Sequence, residues 1–256
     1  NIAIPITISS TILGLTKIID MLMILTRLGS IGYSQEQSNA IYGSYSTMAI
    51  SIYNLPSTFV SAIALPLVPM LTGAIETNNK AKEKNSINIA FKITALIAFP
   101  AGLGISVFSK SILRLLFSSQ KSEIEYVAPL LSLLGLSVFL TAMITTTNAI
   151  LQSYKLATKP IISMIVGILI KIALAHTLIG IPKINIYGAP ISTFISTIAI
   201  VALNSYFILK ASGSIDSVFK LFALPFIASS ISVVIGIAFN LISASLFSER
   251  IAILIV

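Results

Sequence analysis

The sequence predicts an all-α protein, a polytopic transmembrane helical bundle, and three observations carry that reading. Only 9% of the 256 residues are charged, against about 25% in a soluble domain. Hydrophobic residues make up 56% and the mean hydropathy is +1.00. The apolar residues gather into segments of the ~20-residue length that crosses a hydrocarbon core as a helix, not into the alternating segments of a barrel. The absence of cysteine removes disulfides, thiolate metal sites and a cysteine nucleophile. One histidine and eight acids are little material for a metal cage, so no metal or cofactor is expected. The net charge of +8 fits basic cytoplasmic loops facing anionic lipid. No basic stretch is interleaved with aromatics, so nucleic acid is not expected as a partner.

The first span, residues 2–28, carries Lys17, Asp20 and Arg27. At about 100° per residue the three fall within roughly 80° of one another, with Ser9, Ser10 and Thr16 on or beside that face. A charge at bilayer centre costs about 2.5–3.5 kcal/mol on insertion scales, so this stripe is expected to face protein or a water-filled cavity. Two readings stay open. The stripe is either a polar translocation path or a Lys17–Asp20 pair that neutralises itself and docks the helix.

A polar turn is expected at residues 29–39, then a second span at 42–71 containing Asn54, Pro56, Pro66 and Pro69. Each proline removes a backbone donor, so a kink or interruption is predicted, either a mobile hinge or a static bend. A polar linker, 76–85, leads to a third span, 87–108, with Lys92 in its first turns and Pro100 near its middle. Lys92 either snorkels to the headgroups or joins the Lys17 and Asp20 system. Residues 109–118 are too short to span and too apolar for an ordinary loop, which predicts an interfacial amphipathic helix.

The fourth span, 127–151, sets Ser137, Thr141, Thr145, Asn148 and Gln152 along one face, as helix–helix glue or as the lining of a lumen. The fifth, 160–179, holds Lys171 well inside and His176 near its end. The sixth, 189–209, carries Thr193, Thr197 and Asn204, and the seventh, 219–242, shows a stripe of small residues suited to packing. An eighth begins near Ile251. If the second, fourth and sixth connections are cytoplasmic they hold Lys80, Lys82, Lys84, Lys155, Lys159, Lys210 and Lys220, against Lys110, Lys121, Lys183 and Arg250 on the other side once Arg27 is counted inside the membrane and Arg114 on the interfacial helix. The amino end of the first helix is then expected in the cytoplasm.

Enzyme chemistry is not expected. There is no Gly-rich phosphate loop, H-E-x-x-H or nucleophile elbow, and Asp20 is the lone acid inside the spans. The residues favour a polytopic transporter whose cavity carries mixed, mainly positive charge. The substrate path is assigned to Lys17, Asp20, Arg27, Asn54, Lys92, Asn148 and Lys171, and the hinge to Pro56, Pro66 and Pro69.

Three stretches support a resemblance. The run from Gly32-Tyr33-Ser34-Gln35-Glu36 to Ile41-Tyr42-Gly43 resembles the polysaccharide-exporter family that includes stage V sporulation protein B. Asn54-Leu55-Pro56-Ser57 followed by Ala64-Leu65-Pro66-Leu67-Val68-Pro69 does so too, and Ile181 to Ile191 looks like that family's loop and helix entry. The resemblance implies the multidrug/oligosaccharidyl-lipid/polysaccharide exporter superfamily, with two six-helix lobes and often extra helices at the end. Residues 1–212 would then be the second lobe and 213–256 the start of the additional helices, the remaining lobe belonging to the same, longer chain. It further implies a multi-pass protein of the bacterial plasma membrane. The expected function is alternating-access export of polyprenyl-diphosphate-linked sugars for cell envelope or spore cortex. One departure is Ser51, where the related lipid II flippases tend to carry arginine. The alternatives are a cation-coupled multidrug exporter of the same superfamily, with Asp20 as the cation site, and a non-transporting scaffold for envelope assembly.

Overall fold

The computed structural model describes residues 3–213 and 218–246, with side chains over 17–213 and 221–239. The faces expected around Ser9, Ser10 and Thr16, and the eighth span from Ile251, lie outside these described residues. Helix α1 (Ala3–Ser30) would measure about 42 Å at 1.5 Å per residue. Six further segments among the described residues are long and apolar enough to cross a membrane. They are Gln35–Glu76, Lys80–Leu116, Lys121–Ser153, Thr158–Ile179, Asn185–Ser212 and Leu221–Phe239.

The expected polar turn at 29–39 is shorter in the structure, because Ser34 starts α2 (Gln35–Ser44) as a capping box. The Gln37 amide donates to Ser34 Oγ at 3.1 Å, and the Ser34 amide donates to Gln37 Oε1 at 2.9 Å. Helix α2 continues through a π-helical stretch, Tyr45–Ile50, into α3 (Ser51–Glu76). Pro56, Pro66 and Pro69 do not interrupt α3. Each ring removes one donor, but its fixed φ is already helical. The irregularity lies upstream, in the wide π turn.

The linker expected at 76–85 is corrected in the same way. Asn79 Oδ1 accepts from the Lys82 amide at 2.9 Å, so α4 (Lys80–Leu116) begins inside the polar run. The predicted interfacial helix at 109–118 is not separate: it is the end of α4, set off by a bend at Phe108 (φ −99°, ψ 17°). Leu113 of that segment is fully buried while Leu115 and Leu116 are exposed.

Helices α5 (Lys121–Ser153), α6 (Thr158–Ile179), α7 (Gly188–Ser212) and α8 (Val218–Leu246) complete the bundle, and a short 3₁₀ turn, Asn185–Tyr187, leads into α7. Adjacent spans alternate in direction. At one end Lys155 pairs with Glu76 at 3.2 Å and the Tyr154 hydroxyl donates to Glu83 at 2.6 Å. At the other, Lys110 meets Glu125 at 2.7 Å and Asn185 bonds Tyr33.

Helix α5 is the hub, packed against α3, α4 and α7. Its closest approach is to α4, where Gly102 and Gly135 face each other between reciprocal serine bonds. Ser106 Oγ donates to the Ser132 carbonyl at 2.9 Å, and Ser132 Oγ to the Ser106 carbonyl at 2.7 Å. Small residues let the backbones approach, which is how helices associate where lipid is as apolar as leucine. Phe99 of α4 stacks on Phe139 of α5 at 4.0 Å, and Phe222 and Phe226 of α8 close edge-on over them.

This contact gives a stability prediction. A Cβ at Gly135 would lie 2.7 Å from the Ser106 amide nitrogen and 2.9 Å from the Gly102 carbonyl oxygen, whereas one at Gly104 meets nothing within 4 Å. Gly135→Ala should therefore destabilise by about 1–3 kcal/mol, and Gly104→Ala should be neutral or stabilising. Thermal unfolding of the detergent-solubilised full-length protein checks the difference.

Candidate functional site

The polar residues of α1 converge on a cavity of about 420 Å³ between α1, the π stretch, the start of α3, α6 and α7, with Leu134 of α5 in its wall. Lys17 and Asp20 enter from α1, Lys171 from α6, Asn54 from α3 and Thr193 from α7. Asp20 forms an ion pair with Lys171, their side chains 23% and 21% exposed. This corrects the expected Lys17–Asp20 pair: α6 packs on α1 and brings Lys171 onto the carboxylate, while Lys17 stands exposed on the cavity wall. Among the described residues Lys17 has no carboxylate partner. The cavity thus holds, among the described residues, one neutralised pair beside one cation without a carboxylate partner.

The other predicted path residues are dispersed. Arg27 Nε donates to the His176 carbonyl at 2.9 Å, satisfying an orphan acceptor in the last turn of α6, and its guanidinium lies against Gly180. Lys92 is exposed on α4 and does not line the cavity. Asn148 Oδ1 accepts from Asn204 Nδ2 at 2.8 Å, and the same amide donates to Thr147 at 3.0 Å. Thr146 shares a hydrogen with Thr94 at 2.6 Å, and Thr141 bonds Tyr53. The polar residues of α5 therefore join it to three neighbours, which is the glue reading. Of the prolines, Pro56 is buried two positions from Asn54. Pro66 lines a separate apolar cavity of about 230 Å³ between α3 and α4, and Pro69 is exposed.

Two features escaped the sequence reading. Tyr42, Tyr45 and Tyr53 form one wall of the main cavity. Aromatic residues in an apolar span look like packing, and a π turn shifts the face that a 3.6-residue period assigns. Glu83, taken for a linker residue, is only 2% exposed and is held by Lys80 at 2.9 Å and by Tyr154. Burial and that bond to Glu83 raise the Tyr154 phenol well above its ordinary range. This cluster lies at the opposite end of the bundle from Arg27 and serves to tie α4 to the α5–α6 turn.

With the cavity placed, comparison with known proteins identifies its setting. A family profile described as "Lipid II flippase MurJ" matches residues 3–255. The chain belongs to the MurJ family. It is 25% identical over 204 residues to the uncharacterized membrane protein YabM of Bacillus subtilis (strain 168), covering 80% of this chain and 37% of that protein. The lipid II flippase MurJ of the same organism is 24% identical over 159 residues, 62% of this chain and 29% of the relative. Its stage V sporulation protein B is 21% identical over 207 residues, 80% and 39% respectively. The chain thus spans well under half the length of these family relatives. No solved structure matches. Family membership makes this a multi-pass protein of the bacterial plasma membrane, in a family of transporters rather than enzymes.

The ion pair yields the second prediction. Asp20→Ala or Lys171→Ala alone leaves a partly buried charge without its partner, a loss on the order of 3 kcal/mol for a well-buried pair and less at this exposure. The double variant should recover most of it. Apparent melting temperatures of the four proteins in detergent test this; a double variant worse than either single change would show that the pair is not mutually compensating.

Proposed function

We propose that this chain is the second lobe of an alternating-access flippase, residues 1–212, followed by additional helices, and that the flippase moves a polyprenyl-diphosphate-linked sugar across the plasma membrane for envelope synthesis. The observation that carries this reading is Lys17, a cation with no carboxylate partner among the described residues, on the wall of a cavity lined by both polar and apolar side chains. An intramembrane cation is costly unless it serves a path, and an ammonium makes strong charge-assisted bonds to phosphate oxygens. The names of the relatives support the same class: one is a lipid II flippase and another a stage V sporulation protein. In this reading the amino end of α1 lies on the cytoplasmic side.

The substrate path in this reading runs through Lys17, Asp20, Asn54 and Lys171. Arg27 and Asn148 support it by capping α6 and by joining α5 to α7. Lys92 is assigned to the headgroup region. The Tyr45–Ile50 turn, next to the cavity, is a better hinge than Pro56, Pro66 or Pro69, because it is where the long helix departs from α geometry. The competing cation-coupled drug exporter needs Asp20 to bind a mobile cation. Here Lys171 already supplies a tethered one, which a coupling ion would have to displace.

Flipping of a fluorescent polyprenyl-diphosphate sugar by the full-length protein in proteoliposomes separates these readings. Lys17→Gln should slow it about tenfold or more, the scale of one lost charge-assisted bond, while Lys92→Gln leaves it unchanged. Equal rates for Lys17→Gln and the parent protein would overturn the flippase reading of this cavity. Loss of activity in Asp20→Asn, with Lys17→Gln unaffected, would favour the coupled exporter.

A further inference from the structure

Tyr45 is 3% exposed and lines the main cavity, yet its hydroxyl has no hydrogen-bond partner among the described residues. The Tyr45 oxygen is not one of the fully enclosed, unpartnered polar atoms of the described residues, so the hydroxyl opens into the cavity, where a bound molecule can take the bond the protein leaves unmade. The neighbouring Tyr53 is satisfied: its hydroxyl is bonded to Thr141. Tyr42 and Asn54, on the same wall, also present polar groups with no partner among the described residues. The cavity therefore offers aromatic faces, phenol and amide hydrogen-bonding groups, and one ammonium without a carboxylate partner among the described residues. That set does not match two phosphates, which call for several cations. It matches a sugar ring, with its apolar C–H face and its rim of hydroxyls. At about 420 Å³ the space suits a short glycan and leaves no room for a polyprenyl tail.

We propose that the tyrosine wall is a glycosyl subsite: Tyr45 hydrogen-bonds a sugar hydroxyl, Tyr42 and Asn54 flank the ring, and Lys17 at the edge meets the adjoining phosphate. The inference rests on the flippase reading and adds to it that the sugar, not only the diphosphate, is recognised by this lobe. No part of the head group is transformed; recognition is by contact alone.

The test compares two probes on the full-length protein in lipid nanodiscs, a polyprenyl diphosphate bearing a disaccharide and the same polyprenyl diphosphate without sugar. Affinities are read by microscale thermophoresis. The parent protein should prefer the glycosylated lipid. Tyr45→Phe keeps the ring and removes only the hydroxyl, so it should weaken the glycosylated lipid about 3–10-fold and leave the bare one unchanged. Asn54→Ala, at an exposed position that does not bear on folding, should act in the same direction. Lys17→Gln should weaken both lipids together. An unchanged ratio of the two affinities in both Tyr45→Phe and Asn54→Ala would overturn the subsite. A parent protein that binds both lipids equally would overturn it too while leaving the flippase reading intact. A parent protein that binds neither would overturn both.

Discussion

In hydrocarbon a helix gains little by burying leucine against leucine, so its position has to be fixed by close backbone approach and by polar contacts, and α5 supplies both. Gly135 lets α4 in to backbone distance, and Thr141, Thr146 and the Thr147–Asn148 pair reach α3, α4 and α7 in turn. These contacts explain why the helix that carries this row of hydroxyls and amides sits in the middle of the bundle. Facing lipid, Thr141, Thr146, Thr147 and Asn148 would be stranded; turned inward, they find partners on three sides. The phenylalanine stack on α4 then gives α8 a shaped surface to dock against.

Over its described side chains, from Lys17 onward, the first helix shows fewer such contacts. It is held chiefly by α6 and α2, and Ile18 and Leu22 remain more than half exposed. Among the described residues, the Asp20–Lys171 pair and the Arg27 cap are the polar ties between α1 and α6, one near the middle of the helix and one at its end. The cavity lies between this lightly tied pair and the firmly packed α3–α5–α7 core. Such a division lets one wall move while the other keeps its shape, which is the mechanical requirement of alternating access under the proposed function.

The spans were legible in the sequence because lipid imposes length and apolarity on every one of them. The connections were not, because polar residues were read as loop. Ser34 with Gln37, and Asn79 with the Lys82 amide, turn those polar residues into helix starts, so the true turns are only a few residues long. In the site, Lys17, Asp20, Asn54 and Lys171 were legible as charges and amides too costly to leave in lipid. Their pairing was not, since Asp20 and Lys171 are 151 positions apart and sequence proximity pointed to Lys17. Arg27 and Asn148 looked the same as Lys17 in the sequence. Only the fold reveals that a backbone carbonyl and a facing asparagine absorb them.

That redistribution of charge constrains how a diphosphate could be carried. Of the cations the sequence offered to the path, one is neutralised by Asp20, one caps α6 and one lies outside the cavity, which leaves Lys17. A single ammonium cannot balance a group carrying two phosphates in a medium of low dielectric. Under the flippase reading, further cations must come from elsewhere in the transport assembly. The relatives are long enough to supply them, since this chain matches only 29–39% of their length. At Ser51 this cavity presents a hydroxyl, with Tyr42, Tyr45 and Tyr53 also in its lining, and no further cation. Under the proposed glycosyl subsite, Tyr42 and Tyr45 would hold the uncharged part of a head group, and Lys17 would share the charged part with cations outside this chain.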